Sequence, residues 1–288
     1  MVSALGLLIF RQLQENRRVL AALKTAQGQL VQAEKMAFLG ELTAGIAHEL
    51  QNPLTFMKNF AEVSTGLVDD MAGGRRVPAR DAGLEAEILA GLKQNLQHIS
   101  QHGQRASSII KDMLEHSRSG TGPRVPTDLN ELIKENLALA YRGLQTRDPA
   151  FTATITTAFD AALAPVAVVQ SDFGRVLLNL FANGLHALRE HQRAAAHPVT
   201  AVQSELVVTT RALAHVVEIR VRDNGIGMPE SIRDKVFQPF FTTKSPDEGT
   251  GLGLSISFDI VTKGHGGTLA VTSAAGVGTE FIIQLPQQ

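Results

Sequence analysis

At 288 residues, of which 44% are hydrophobic, the chain is long enough for about two domains with cores of their own. Its net charge of −1 gives no reason to expect nucleic-acid binding. It has no cysteine, which excludes disulfides, thiolate metal sites and cysteine nucleophiles.

The chain opens on an apolar run, Val2 to Phe10, about half the ~20 residues a membrane-spanning helix needs. The run lacks the basic start and small-residue cleavage site of a signal peptide. Arg11, Arg17 and Arg18 follow it, as they would at the cytoplasmic edge of a transmembrane helix. One expectation is a cytoplasmic piece cut inside the last membrane helix of a longer receptor; the other is an apolar start to a coiled coil. Through residue 35 the sequence forms helix, with Leu13 and Leu20, then Leu23, Leu30 and Ala37, at heptad spacing. Gln27 and Glu34 interrupt that seam, so it is a weak one.

From Phe38 to Phe60 large apolar residues recur at helical spacing: Leu39, Leu42, Ile46, Leu50, Leu54 and Met57. His48 falls about 180° from the middle of that stripe, among Glu41, Ala44, Gly45, Asn52 and Thr55. Gly45 costs such a helix about 1 kcal/mol and Pro53 about 3 kcal/mol, stability given up for access or for a bend. The helix ends near Met71. Gly73, Gly74, Pro78 and Gly83 mark a loop, which also carries Arg75, Arg76 and Arg80.

A second helix is expected from Leu84 to Ser117, burying Ile88, Leu92, Leu96, Ile99, Ile109, Met113 and Leu114. Two helices cannot bury both stripes alone, so a homodimeric four-helix bundle is predicted over 36–118. His98 and His102, four apart, could share a metal, but no third ligand is evident nearby.

Ser117 to Pro126 reads as a linker, 119–126 in its narrowest bounds, and 127–288 as a second domain. Helices are expected at Leu129–Leu144, Asp172–Glu190 and Gly253–Lys263. Strands are expected at Phe151–Phe159, Glu205–Arg211, Val216–Arg222, Thr268–Ser273 and Thr279–Leu285. A mixed sheet with helices on one face is an α+β sandwich.

Four clusters in this domain carry chemistry. Asn179 and Asn183 share a helix face, and their carboxamide oxygens suit a Mg²⁺ that bridges phosphates. Asp223-Asn-Gly225-Ile-Gly227 ends a strand, where a carboxylate can accept from an adenine amino group and glycines allow close backbone approach. Phe237 to Lys244 combines anchoring aromatics with a positive point charge for phosphate. Gly249-Thr250-Gly251-Leu252-Gly253-Leu254 precedes a helix, where amides meet an anion. Those glycines come too late in the chain for a βαβ dinucleotide fold.

The string His48-Glu49-Leu50-Gln51-Asn52-Pro53-Leu54 resembles the phospho-acceptor segment of bacterial sensor histidine kinases. The four clusters, closed by Gly276 to Phe281 with Thr279, resemble their Bergerat-type ATP-binding domain. The likeness covers residues 34–288. It implies His48 as phospho-acceptor, Asn183 as Mg²⁺ ligand with Asn179 beside it, and Asp223 as adenine contact. It also implies a pocket and lid shaped by Gly225, Gly227, Gly249, Gly251 and Gly253. His186 stands where many members have lysine, and the lid, Ser245 to Glu248, is short and acidic.

The expected reaction is autophosphorylation of His48 from Mg-ATP, then transfer to an aspartate of a response regulator receiver domain, with ATP and Mg²⁺ as the implied cofactors. Glu49 is the candidate proton acceptor. Asn52, one turn on from His48, is the candidate for holding a water against an aspartyl phosphate, a role that the family assigns to this position. The expected location is the bacterial cytoplasm, with a possible inner-membrane tether N-terminal to the chain. The alternatives are a Bergerat-type ATPase that hydrolyses ATP and a non-catalytic dimeric scaffold.

Overall fold

The computed structural model describes residues 11–12, 14–17, 19, 47, 49–69, 71, 82–118, 122–194, 203–244 and 249–287. The apolar run 2–10, most of the heptad seam, His48, the hairpin loop and the lid 245–248 lie outside them. No helix among the described residues is long and apolar enough to cross a membrane. The chain divides into two compact units inside its second long helix, after Ile109.

The first unit contains helix α1, residues 49–69, and most of α2, Ala82–Arg118. Gly83 thus lies in the first turn of α2, not in the loop. The two helices run antiparallel, because their contacts descend α2 as they climb α1. Glu49 pairs with Arg105 at 3.0 Å. Phe56 stacks on His102 at 4.9 Å between centroids, Phe60 on His98 at 4.7 Å, and Leu67 packs at Gly91. The His98–His102 pair is therefore an aromatic packing element. Among the described residues no three acidic, histidine or cysteine side chains gather as a metal site.

Leu50, Met57, Ile88, Leu92 and Ile99 are half-buried, as the periodicity predicts. Leu54, Leu96 and Leu114, expected on the buried stripes, are instead more than half exposed, with Phe56, Val63 and Leu89 also exposed. The cause is geometric: a hairpin offers each helix one neighbour, and stripes wider than that contact stay open.

The second unit holds the sheet. Strand β1, Val125–Thr127, pairs antiparallel with β3, Val166–Val168. Val125 and Pro126 thus belong to a ladder and not to a free linker. Both strands span three residues, too short for alternation to reveal them in sequence. Helix α3, Leu129–Arg147, is capped by Asp128, whose carboxylate accepts the Glu131 N–H at 3.1 Å. Strand β2, Thr154–Ala158, lies parallel to β4, Glu205–Ala212; β5, Val216–Asp223, β7, Gly278–Pro286, and β6, Thr268–Ala274, follow antiparallel in the order β2-β4-β5-β7-β6.

Helix α4, Gln170–Ala194, lies over the sheet and buries Phe173, Val176, Leu177, Leu180, Phe181, Leu185 and Leu188. These meet the inward residues of alternating strands, among them Leu206, Val208, Ile219, Val221, Phe281 and Ile283. The opposite sheet face is polar: Arg220 bridges Glu218 at 2.7 Å and Glu280 at 3.2 Å. A short helix, α5, Glu230–Arg233, follows the β5 loop and was not foreseen. The helix expected at Gly253–Lys263 is α6, Gly253–Asp259, continued by a π-helical turn, Ile260–Gly264. The expected α+β sandwich is the observed one.

Candidate functional site

One face of α4 builds a wall. Arg175, Asn179, Asn183, His186 and Glu190 follow one another at steps of three or four, so they align on one stripe and all line one pocket of about 890 Å³. Arg175 and Glu190 went unnoticed in the sequence, although the step that links Asn179 to Asn183 extends to both. The opposite walls come from the β5–α5 loop, from 241–244 and from the segment that opens α6. That volume falls within the range of small-molecule sites.

Asp223 ends β5 and is 4% exposed. Its carboxylate accepts the Gly225 N–H at 2.9 Å and a second backbone bond from Thr279, its neighbour across the β5–β7 ladder. Burial is nevertheless the larger influence, and pushes its pKa from 3.8 up to about 6. Thr279 lines the pocket and shares a hydrogen bond with Ser273 at 2.9 Å.

Gly225 packs against α4, where a Cβ would come 2.6 Å from the Ala187 carbonyl carbon. Gly227 has φ +59°, and a Cβ there would lie 2.0 Å from the Ala274 carbonyl oxygen. Both a left-handed backbone and the lack of a Cβ are required. Gly227→Ala should therefore displace the loop and weaken ligand binding at least tenfold, which is about 1.4 kcal/mol, at the low end of such strain. Binding of a fluorescent adenine nucleotide, with circular dichroism to confirm the fold, checks this; unchanged affinity would contradict it.

At the other end, Lys244 Nζ donates to Asn183 Oδ1 at 2.7 Å. The Asn183 oxygen thus already faces a cationic group, and a hard divalent ion suits the same neutral oxygen. No acidic cluster among the described residues could hold such an ion unaided, so the ligand's own phosphates would complete its shell. Asn179 does a different job: its amide donates to the Gly253 carbonyl at 3.0 Å and to Ser257 Oγ at 3.2 Å, pinning the start of α6 to α4.

Arg189 lies 3.1 Å from His186 Nδ1. A guanidinium only donates, so Nδ1 accepts and the ring proton sits on Nε2. The pocket therefore has a neutral imidazole N–H donor where a lysine would bring a full charge. Gly249, Thr250, Gly251 and Gly253 line the pocket, whereas Leu252 is buried in the core below it. Gly251, at φ +73°, packs back to back with Phe240, itself in the left-handed region at φ 63°.

Of the helical-hairpin candidates, Glu49 is held by Arg105, Asn52 is half-buried beside the buried Pro53, and His48 lies outside the described residues.

Comparison with known proteins decides what this arrangement is. Residues 38–122 match the His Kinase A (phospho-acceptor) domain, and residues 168–288 the histidine kinase-, DNA gyrase B- and HSP90-like ATPase domain. The chain belongs to the histidine kinase family. It is 31% identical over 277 residues to the sensor protein FixL of Bradyrhizobium diazoefficiens, covering 96% of this chain and 49% of FixL. It is 32% identical over 272 residues to the sensor histidine kinase ZraS of Escherichia coli K12, covering 94% and 50%. The chain thus spans about half the length of these curated relatives. Among solved structures, histidine kinase ThkA in complex with the response regulator protein TrrA aligns with a TM-score of 0.56 at 25% identity, covering 88% of this chain and 64% of that one. In this histidine kinase chain, residues from the asparagine pair, DNGIG, FFTTK and GTGLGL segments line one cavity.

Proposed function

We propose that this chain is the catalytic part of a two-component sensor kinase, which autophosphorylates His48 from Mg-ATP and passes the phosphoryl group to an aspartate of a response regulator. The carrying observation is the pocket itself: a buried carboxylate, Asp223, and a cation-ready pair, Asn183 with Lys244, line one cavity. Asp223 accepts from the adenine amino group, as the resemblance implies. Lys244 and His186 Nε2–H serve the phosphates. Mg²⁺ would neutralise phosphate charge, with Asn183 as its protein ligand and Asn179 holding α6 beside it.

A ring nitrogen of His48 attacks the γ-phosphorus as the bond to the β–γ bridging oxygen breaks and ADP leaves. The proton on the other ring nitrogen passes to Glu49. Arg105 keeps that carboxylate in one place by an ion pair at 3.0 Å. The unpaired apolar residues Leu54, Leu96 and Val63 support a homodimer through the hairpin. The complex of ThkA with TrrA supports a response regulator as partner. Residues 36–118 then form the dimerisation and phosphotransfer domain and 127–288 the catalytic domain.

Incubation with γ-labelled ATP and Mg²⁺ tests the reading. Acid-labile, base-stable label on the protein is expected; ATP hydrolysis without labelled protein would favour a plain ATPase instead.

Asn52 is assigned to positioning the water that removes phosphate from the regulator. A carboxamide donates and accepts, and an acyl phosphate is reactive enough to need mainly alignment. In Asn52→Ala, autophosphorylation should persist while dephosphorylation of purified phospho-regulator falls at least about tenfold. Parallel loss of both would instead assign Asn52 to supporting the helix at Pro53.

A further inference from the structure

The segment that leads into the ATP-binding domain is docked on that domain around one buried histidine. Gly122 lies so close to Val169 that a Cβ would come 2.8 Å from its Cγ1. Val125 to Thr127 then pair with Val166 to Val168. The residue that follows that strand, Val169, donates its backbone N–H to His265 Nε2 at 3.0 Å. An amide N–H only donates, so Nε2 accepts; the ring proton is on Nδ1 and is donated to the Ile260 carbonyl at 2.8 Å. The ring is 3% exposed and lies edge-on to Phe173, and its burial keeps the pKa below the ordinary histidine value.

The same ring closes the far end of the helix that starts at the pocket. A helix terminus leaves carbonyls without intrahelical partners. Here four of the five carbonyls of the π turn are taken. His265 takes Ile260, Gly267 N–H takes Val261 at 2.9 Å, Gly266 N–H takes Thr262 at 2.8 Å, and the Arg124 guanidinium donates to Gly264. At its other end α6 is pinned at Gly253 by Asn179, inside the pocket wall. Helix α6 with its π turn therefore has its first residue in the nucleotide site and its last carbonyl, that of Gly264, in the grip of the linker. A π turn in that span adds a residue to the turn, a geometry that recurs at functional sites.

We propose that the linker, through Arg124 and β1, is a latch coupled to the nucleotide pocket: nucleotide binding and linker docking favour one another by way of α6, its π turn and His265. This rests on the nucleotide reading of the pocket. Coupling of this kind is reciprocal, so each event must change the other's equilibrium by the same factor.

The test uses the whole chain and Mg-ADP, which binds without labelling the protein. Arg124 is exposed, so Arg124→Ala does not disturb the core. Amide exchange at Val125 and Thr127 is expected to slow about fivefold or more at saturating Mg-ADP, and Arg124→Ala to weaken Mg-ADP by a similar factor, the lower edge of common allosteric couplings. A merely structural Arg124 would lower stability without making linker exchange respond to ligand. Mg-ADP that binds the wild type while linker exchange stays the same, or an Arg124→Ala affinity equal to wild type, would overturn the coupling alone. A wild type that fails to bind Mg-ADP would overturn the pocket reading, and the coupling with it.

Discussion

In the His48→Ala protein, label from γ-labelled ATP is expected to vanish, while affinity for Mg-ADP stays within about twofold of wild type. The first expectation follows from chemistry: the alanine methyl group has no lone pair to attack phosphorus. His98 and His102 are stacked on Phe60 and Phe56, so their rings are packing elements of the hairpin. The second follows from location, since every residue lining the pocket falls between Arg175 and Phe281. A substitution outside such a site changes free energy by about 0.5 kcal/mol or less, hence the twofold allowance. Retained label would remove His48 from the mechanism and send the search to His98, His102 and His116.

Asp223→Asn should move stability and binding in opposite directions. The carboxyl has a pKa of about 6 in the folded protein against its ordinary value of 3.8. A group raised on folding contributes stability that is fully present below the unfolded value and is lost as pH rises through the folded value. At pH 7.5 the ionised, buried Asp223 therefore costs the free domain about 3 kcal/mol, at 1.36 kcal/mol per unit. Asparagine cannot ionise, so the substituted protein should melt higher than wild type by several degrees at pH 7.5, with the gap closing near pH 4. Its ATP affinity should fall by about 1.5–3 kcal/mol, roughly 10- to 150-fold, the worth of one hydrogen bond to a charged group. For the wild type, the same titration predicts weaker ATP binding as pH falls below about 6, because the neutral acid offers adenine a poorer acceptor. GTP, with a carbonyl in place of the amino group, should bind more weakly than ATP. Calorimetry across pH together with nucleotide titration reads all of these, and equal ATP and GTP affinity would dismiss the assignment of Asp223.

The long elements were legible because each has a repeat that propensity and burial both obey. Helix α4 was read from Asp172 to Glu190 and runs from Gln170 to Ala194, and the four long strands β4 to β7 fall within a residue or so of their expected bounds. What escaped was short or tertiary. Strands β1 and β3 exist only through one another. The π turn at Ile260–Gly264 keeps helical periodicity almost intact, so nothing in the spacing separates it from α6. In the site, the asparagines, Asp223 and Lys244 stood out by residue type. Arg175 and Glu190 carry no motif of their own, and only their place on the α4 stripe could have revealed them. The Asn183–Lys244 contact joins residues 61 apart in the chain and depends on how the pocket closes, which no spacing encodes.

The apolar residues left open along α1 and α2 have a thermodynamic consequence. Leu54, Val63, Leu89 and Leu96 are each more than half exposed in the single chain. At about 25 cal/mol for each Å² of apolar surface, covering several such side chains is comparable to the whole stability of a small domain. In the proposed dimer the hairpin's folding is then a second-order event, with a midpoint that rises with protein concentration, whereas the catalytic domain unfolds at a temperature independent of dilution. Two transitions that respond differently to a hundredfold dilution would be the calorimetric signature of this chain. They would also set a lower bound on the copy number at which a cell can keep it paired.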